Sequence, residues 1–167
     1  HEELGWMPDI DELRELVRPN TRLICINNAS NPVGAVLDAK MLEQIAEIAD
    51  SVGAYVLCDE VYLPLENTEG FKSMTDVYDR AIVTNSVSKT YSVPAARCDE
   101  VSDAIRTYRD YTMICGGVFN DALATYVLRH RDKILDRNRE IVFGNREIAQ
   151  AWIDSQPRVS WVAPKGV

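Results

Sequence analysis

The chain has 167 residues, 46% of them hydrophobic and 26% charged, and a formal net charge of −8 at neutral pH. This is the composition of one globular domain or a large piece of one. A negative balance with no basic run argues against nucleic acid or anionic lipid as a partner. No apolar stretch is long enough to span a bilayer, and the acidic opening HEELGWMPDIDE lacks the apolar core of a signal peptide.

In chain order, PDIDELRELV is a short amphipathic helix with Ile10, Leu13, Leu16 and Val17 on one side. RLICIN (Arg22 to Asn27) is an apolar run too short for a helix and fits a strand of a parallel sheet. The loop NASNPVGAVLD follows, with Pro32 and Gly34 as breakers. Asp38 is placed to cap a helix whose apolar positions Leu42, Ile45, Ile48, Ala49 and Val52 recur at helical spacing, and Gly53 is placed to stop it. AYVLCDE (Ala54 to Glu60) and AIVTNS (Ala81 to Ser86) are two more strands, each apolar with a polar end. Strand–helix–strand order at this spacing predicts right-handed crossovers and an α/β fold, a parallel-rich sheet flanked by helices.

Further on, Asp99 to Tyr108 and Asn120 to His130 have helical patterns. A long helix is expected from about Asp132 to Ile153, with Ile134, Ile141, Ile148 and Trp152 on or near one face. Gly144 interrupts it at a cost of about 1 kcal/mol relative to alanine. RVSWV near the end has the pattern of a strand with no partner left in the chain. His130 sits on a polar helix end and is expected to be solvated.

The cysteines are Cys25, Cys58, Cys98 and Cys115, with no C-x-x-C pair and only two histidines beside them. This is a weak basis for zinc or redox chemistry, and no metal is expected. Cys25 and Cys58 lie in apolar runs, where a free thiol behaves as a small hydrophobe. A reducing cytoplasm is the expected compartment.

In such sheets ligands collect beyond the carboxyl ends of the strands. Asn31, Asp59 and the stretch Ser86 to Lys89 should therefore lie along one edge. Four short motifs gather there in order: SNPVG around Asn31, DEVY from Asp59 to Tyr62, SVSKTYS around Lys89, and Arg97 eight residues after that lysine. Each alone is weak. In this order and spacing they resemble the class I/II aminotransferases of the pyridoxal 5'-phosphate (PLP) fold-type I group, whose usual forms are NNPTG, DEVY, S-x-SKT and an arginine followed by x-G-W.

The resemblance runs from about Gly5 to Val167 and implies a role for each residue. Lys89 would carry the PLP aldehyde as a Schiff base and move the substrate's α-proton. Asp59 would stabilise the protonated ring nitrogen. Tyr62 and Asn31 would hydrogen-bond the ring's phenolic oxygen, and Ser86, Ser88 and Arg97 would hold the phosphate, an arginine fork suiting phosphate geometry. The implied reaction moves an amino group between an amino acid and a 2-oxo acid, in a homodimer. Other PLP reactions on the same fold, a carbon–sulfur lyase or a cyclising synthase, remain open, as does a catalytically incompetent remnant. For Tyr91 and the run Tyr108 to Asp121, packing is the expected role.

The resemblance also divides the chain. Residues 1–131 correspond to an incomplete large PLP-binding domain, and 132–167 to a long helix leading to the start of a small α/β domain. After Arg97 the family has x-G-W and an apolar strand, whereas CDEVSDAIR follows here, about one strand short. The family's glycine-containing phosphate loop and ring-stacking aromatic fall before this chain, and its carboxylate-binding arginine after it. The chain alone is therefore expected to hold PLP weakly.

Overall fold

The computed structural model describes residues 2–62, 72–92 and 118–166. The first helix, α1 (Ile10–Leu16), is capped by Asp9, whose carboxylate accepts from the backbone N–H groups of Asp11 and Glu12 at 2.9 and 3.1 Å. Ile10, Leu13 and Val17 pack against the core. Leu16, expected on the same side, is exposed, because its position lies past the edge of that stripe on a 3.6-residue helix.

Three parallel strands follow among the described residues, β1 (Leu23–Asn27), β2 (Tyr55–Asp59) and β3 (Ala81–Thr84), side by side in that order. Their ends are level: Asn27 stands opposite Asp59, and Asp59 opposite Thr84. Between β1 and β2 runs α2 (Ala39–Ser51). Asp38 caps it as expected, accepting from Met41 N–H at 2.8 Å. Gly53, at φ +67°, ends it in a Schellman turn, Gly53 N–H donating to Asp50 O at 3.0 Å and Ala54 N–H to Ala49 O at 2.9 Å.

The pleat sends alternate side chains to opposite faces. Ile24, Val56 and Cys58 point to the face that α2 covers with Leu42, Ile45 and Ala49, and Met74 closes the same core. The other face, with Leu23, Tyr55 and Ile82, is exposed among the described residues.

A one-turn helix, α3 (Val87–Thr90), follows β3, and α4 (Val118–Arg129) and α5 (Arg131–Asp154) complete the described α-helices. The long helix passes Gly144 without a break. Its Ile141, Ile148 and Trp152 are exposed, and its buried residues are Leu135 and Asn138. RVSWV forms no strand: a strand needs a ladder, and none of the described strands pairs with this segment. Instead the chain returns to the loop after β1, where Gly34 O accepts from the N–H groups of Lys165 and Gly166. The helix expected at Asp99 to Tyr108 lies outside the described residues. No described helix is long and apolar enough to cross a membrane.

Candidate functional site

The loop after β1 is shaped from within. Asn28, fully buried, accepts from Leu37 N–H at 2.9 Å and donates to Leu37 O at 3.3 Å. The amide thus mimics a strand partner and pins both ends of the loop. Asn31 is left exposed at its tip, where its Nδ2 donates to the Tyr62 hydroxyl at 3.0 Å. Two motifs separated by 31 residues of chain are joined by this bond.

Alternation at the end of β2 gives two adjacent carboxylates opposite fates. Asp59 is exposed on the face away from α2, and its Oδ1 accepts from Val61 N–H at 3.2 Å, which tightens the turn toward Tyr62. Glu60 is 1% exposed. Its carboxylate accepts from Met74 N–H at 2.9 Å and from the Ser73 hydroxyl, 2.9 Å from Oε2 and 3.1 Å from Oε1. Burial pushes the Glu60 carboxyl above the usual carboxylate range, against the opposing pull of those donors. Burial likewise pushes the neighbouring Cys58 thiol up, and the charge of Glu60 adds to the shift.

Beyond β3, Asn85 Oδ1 accepts from Ser86 N–H at 2.7 Å, and Ser86 Oγ caps α3 by accepting from Ser88 N–H at 3.0 Å. Val87 and Thr90 are buried, which leaves Lys89 exposed on the opposite side of the turn. Tyr91 packs on Val87 and Ala124, in agreement with the packing role expected of it. Thr90 Oγ1 donates to Val61 O, tying the lysine helix to the Asp59–Tyr62 turn.

Of the residues singled out in the sequence, Asn31 and Tyr62 are in direct contact. Asp59 ends β2 on the same sheet edge, and Ser86, Ser88 and Lys89 occupy the element that follows the level end of β3. Arg97 lies outside the described residues, as do Cys98, Cys115 and Tyr108 to Gly117. His130 is exposed and contacts Tyr126 O through Nδ1 at 2.8 Å. Sequence reasoning missed Glu60, Thr90 and Asn138. Strand alternation through Cys58 could have signalled a buried Glu60; nothing local marks the other two. It also missed a cleft beside Asn31 lined by Trp6, Pro32, Val33, Trp161 and Pro164. Among the described residues no group of His, Cys, Asp and Glu side chains could hold a metal ion.

A parallel sheet with polar groups gathered past the carboxyl ends of its strands defines an α/β ligand-binding domain. The model of the family described as aminotransferase class I and II matches residues 1–99. The chain belongs to that family. It is 28% identical over 176 residues to an aspartate aminotransferase from Pyrococcus horikoshii, covering 99% of this chain and 45% of the relative. A probable N-succinyldiaminopimelate aminotransferase from Mycobacterium tuberculosis is 32% identical over 175 residues, covering 90% of this chain and 43% of the relative. Among solved structures, a PLP-dependent aminotransferase from Streptococcus suis superimposes with a TM-score of 0.90 at 49% identity, over 99% of this chain and 46% of that one. The chain thus spans about half the length of the curated relatives it matches.

The family's cofactor is PLP, and the side chains at this edge fit it chemically. A primary amine suits an aldehyde, a carboxylate suits a protonated ring nitrogen, a phenol–amide pair suits a phenolic oxygen, and hydroxyls suit a phosphate.

Proposed function

We propose that the protein carrying this chain is a PLP-dependent aminotransferase that moves an amino group between an amino acid and a 2-oxo acid, with Lys89 as its catalytic residue. The observation that carries this reading is the 3.0 Å hydrogen bond from Asn31 to Tyr62, which brings two of the motifs together at the edge where Asp59 also ends its strand. When bound, PLP supplies an aldehyde that condenses with amines and a protonated ring that withdraws electrons from the substrate's α-carbon.

The chain's own residues do the rest. Lys89 Nζ holds the cofactor between turnovers and takes and returns the proton at the α-carbon. Its exposed position on α3 leaves it free to do both. Asp59 keeps the ring nitrogen protonated through a carboxylate already oriented by Val61 N–H. Tyr62 and Asn31 act as one unit: with Asn31 donating to the Tyr62 oxygen, the phenol proton is free to point at the ring's phenolic oxygen. Ser86, Ser88 and Arg97 hold the phosphate. The working protein is a homodimer in a reducing cytoplasm, a compartment consistent with the free thiols of Cys25 and Cys58.

The test is amino transfer from an amino acid to an added 2-oxo acid, measured beside release of pyruvate and ammonia. The amino group is expected on the oxo acid, and Lys89→Ala should lower the rate by about a hundred- to ten-thousandfold. Release of pyruvate and ammonia without any oxo acid would assign a lyase instead, and a Lys89→Ala variant with undiminished transfer would remove the lysine from its role.

A further inference from the structure

α3 is four residues long, a single turn. One turn fixes several dihedral angles for about one hydrogen bond, so it has no stability of its own, and its geometry comes from what is tied to it. At its start, Ser86 Oγ caps it. On its buried side, Val87 packs against Ala124, and Thr90 Oγ1 donates to Val61 O. Its end is held from a distant element. Asn138, on α5, donates through Nδ2 to Thr90 O at 3.0 Å and to Ser92 Oγ at 3.2 Å. Both hydrogens of that amide nitrogen are therefore committed to the end of the lysine helix.

The position of Asn138 makes this more than one bond among many. It is 5% exposed in a helix whose only other buried residue among those described is Leu135. A buried amide costs stability unless its donors and acceptor are matched, and here Arg137 Nη1 also donates to its Oδ1 at 3.3 Å. Ser92, at φ +57°, turns the chain away directly after the helix, and its N–H donates back to Lys89 O at 3.1 Å. The backbone carbonyl of Lys89 is thereby fixed by a turn whose hydroxyl Asn138 holds.

We propose that Asn138 is a positioning residue: by clamping the end of α3 to α5 it sets the direction in which Lys89 projects. Through Thr90 the same clamp reaches the Asp59–Tyr62 turn, so α5, the lysine helix and that turn are tied in series. The inference rests on the reading of Lys89 as the working amine.

The experiment compares the full chain with Asn138→Asp and Ser92→Ala. Aspartate has nearly the shape of asparagine, but when ionised it has no donor and faces the Thr90 carbonyl. Two readouts are taken: amide hydrogen exchange across Val87 to Ser92 without cofactor, and the pH midpoint of the PLP absorbance band that Lys89→Ala abolishes. Exchange over Ser88 to Ser92 should rise about tenfold in Asn138→Asp and about threefold in Ser92→Ala, with the amides of Ile45 and Val56 unchanged. The pH midpoint should move by about one unit in Asn138→Asp, a change that mere loss of folded protein does not produce.

Exchange at the wild-type rate, or a rise spread evenly over Ile45 and Val56, overturns the proposal, as does an unmoved midpoint. If Asn138→Asp does not fold, Ser92→Ala decides by the same exchange criterion. If the wild-type chain shows no band that depends on Lys89 even at PLP concentrations that saturate a weak site, the reading of the lysine fails, and the exchange rates still decide whether the clamp exists.

Discussion

Glu60→Ala removes the carboxylate that anchors the Asp59–Tyr62 turn to the segment starting at Ser73. Three donors lose their acceptor, Met74 N–H, the Ser73 hydroxyl and the Cys58 thiol. The hydroxyl keeps a second partner in Thr75 Oγ1 at 3.0 Å, whereas the Met74 N–H is left buried and unpaired. An orphaned buried donor costs about 1–3 kcal/mol and a lost hydrogen bond about 1 kcal/mol, so the variant should be destabilised by about 2–4 kcal/mol. Glu60→Gln retains an acceptor for Met74 and does not ionise, and should lie within about 1 kcal/mol of wild type at mildly acid pH. The two diverge with pH. Because burial raises the folded-state value of Glu60 above its unfolded one, its contribution is complete below the ordinary glutamate range and is lost as pH rises through the raised value. Wild type should therefore lose stability relative to Glu60→Gln as pH rises from the ordinary glutamate range, and the difference should level off once the carboxyl is ionised in both states. Urea unfolding followed by circular dichroism at a series of pH values measures both effects. Glu60 has no such anchoring role if Glu60→Ala unfolds within about 0.5 kcal/mol of wild type, and its carboxyl is not raised by burial if wild type and Glu60→Gln run parallel across the range.

Gly144→Ala should stabilise the chain by about 0.5–1 kcal/mol in the same urea assay, since the position is helical and an added Cβ meets no atom within 4 Å. Alkylation followed by peptide mapping should label exposed Cys25 in the folded chain long before Cys58, which is fully buried with its thiol pushed up by burial and by Glu60; equal rates would contradict that placement.

Much of the fold was legible because its determinants are local. Asp38 before an apolar helical stripe, Gly53 after it and short apolar runs with polar ends placed α2 and the three strands to within a residue or two of their observed bounds. The packing of α5 was not legible. Its isoleucines suggested a buried face, yet the buried positions are Leu135 and Asn138, and Asn138 is tied to Thr90 and Ser92 some 46 to 48 residues away. RVSWV shows the same limit: its composition suits a strand, but a strand exists only where a neighbour offers a ladder. In the site, Asn31 and Tyr62 were visible as motif members, while Glu60 and Thr90 sat unnoticed beside Asp59 and Lys89. Their roles arise from bonds to Ser73, Met74 and Val61, which no spacing along the chain encodes.

Of the chain's lysines, Lys40, Lys72, Lys89, Lys133 and Lys165, Lys89 is the one proposed to receive the PLP aldehyde. Incubation with limiting PLP, borohydride reduction and mass mapping of the peptides tests it directly. The reduced adduct is expected on Lys89 in clear excess over the other lysines, and that excess should be lost in Asp59→Ala. An adduct spread evenly over the exposed lysines, or concentrated on one other than Lys89, would remove Lys89 from that role.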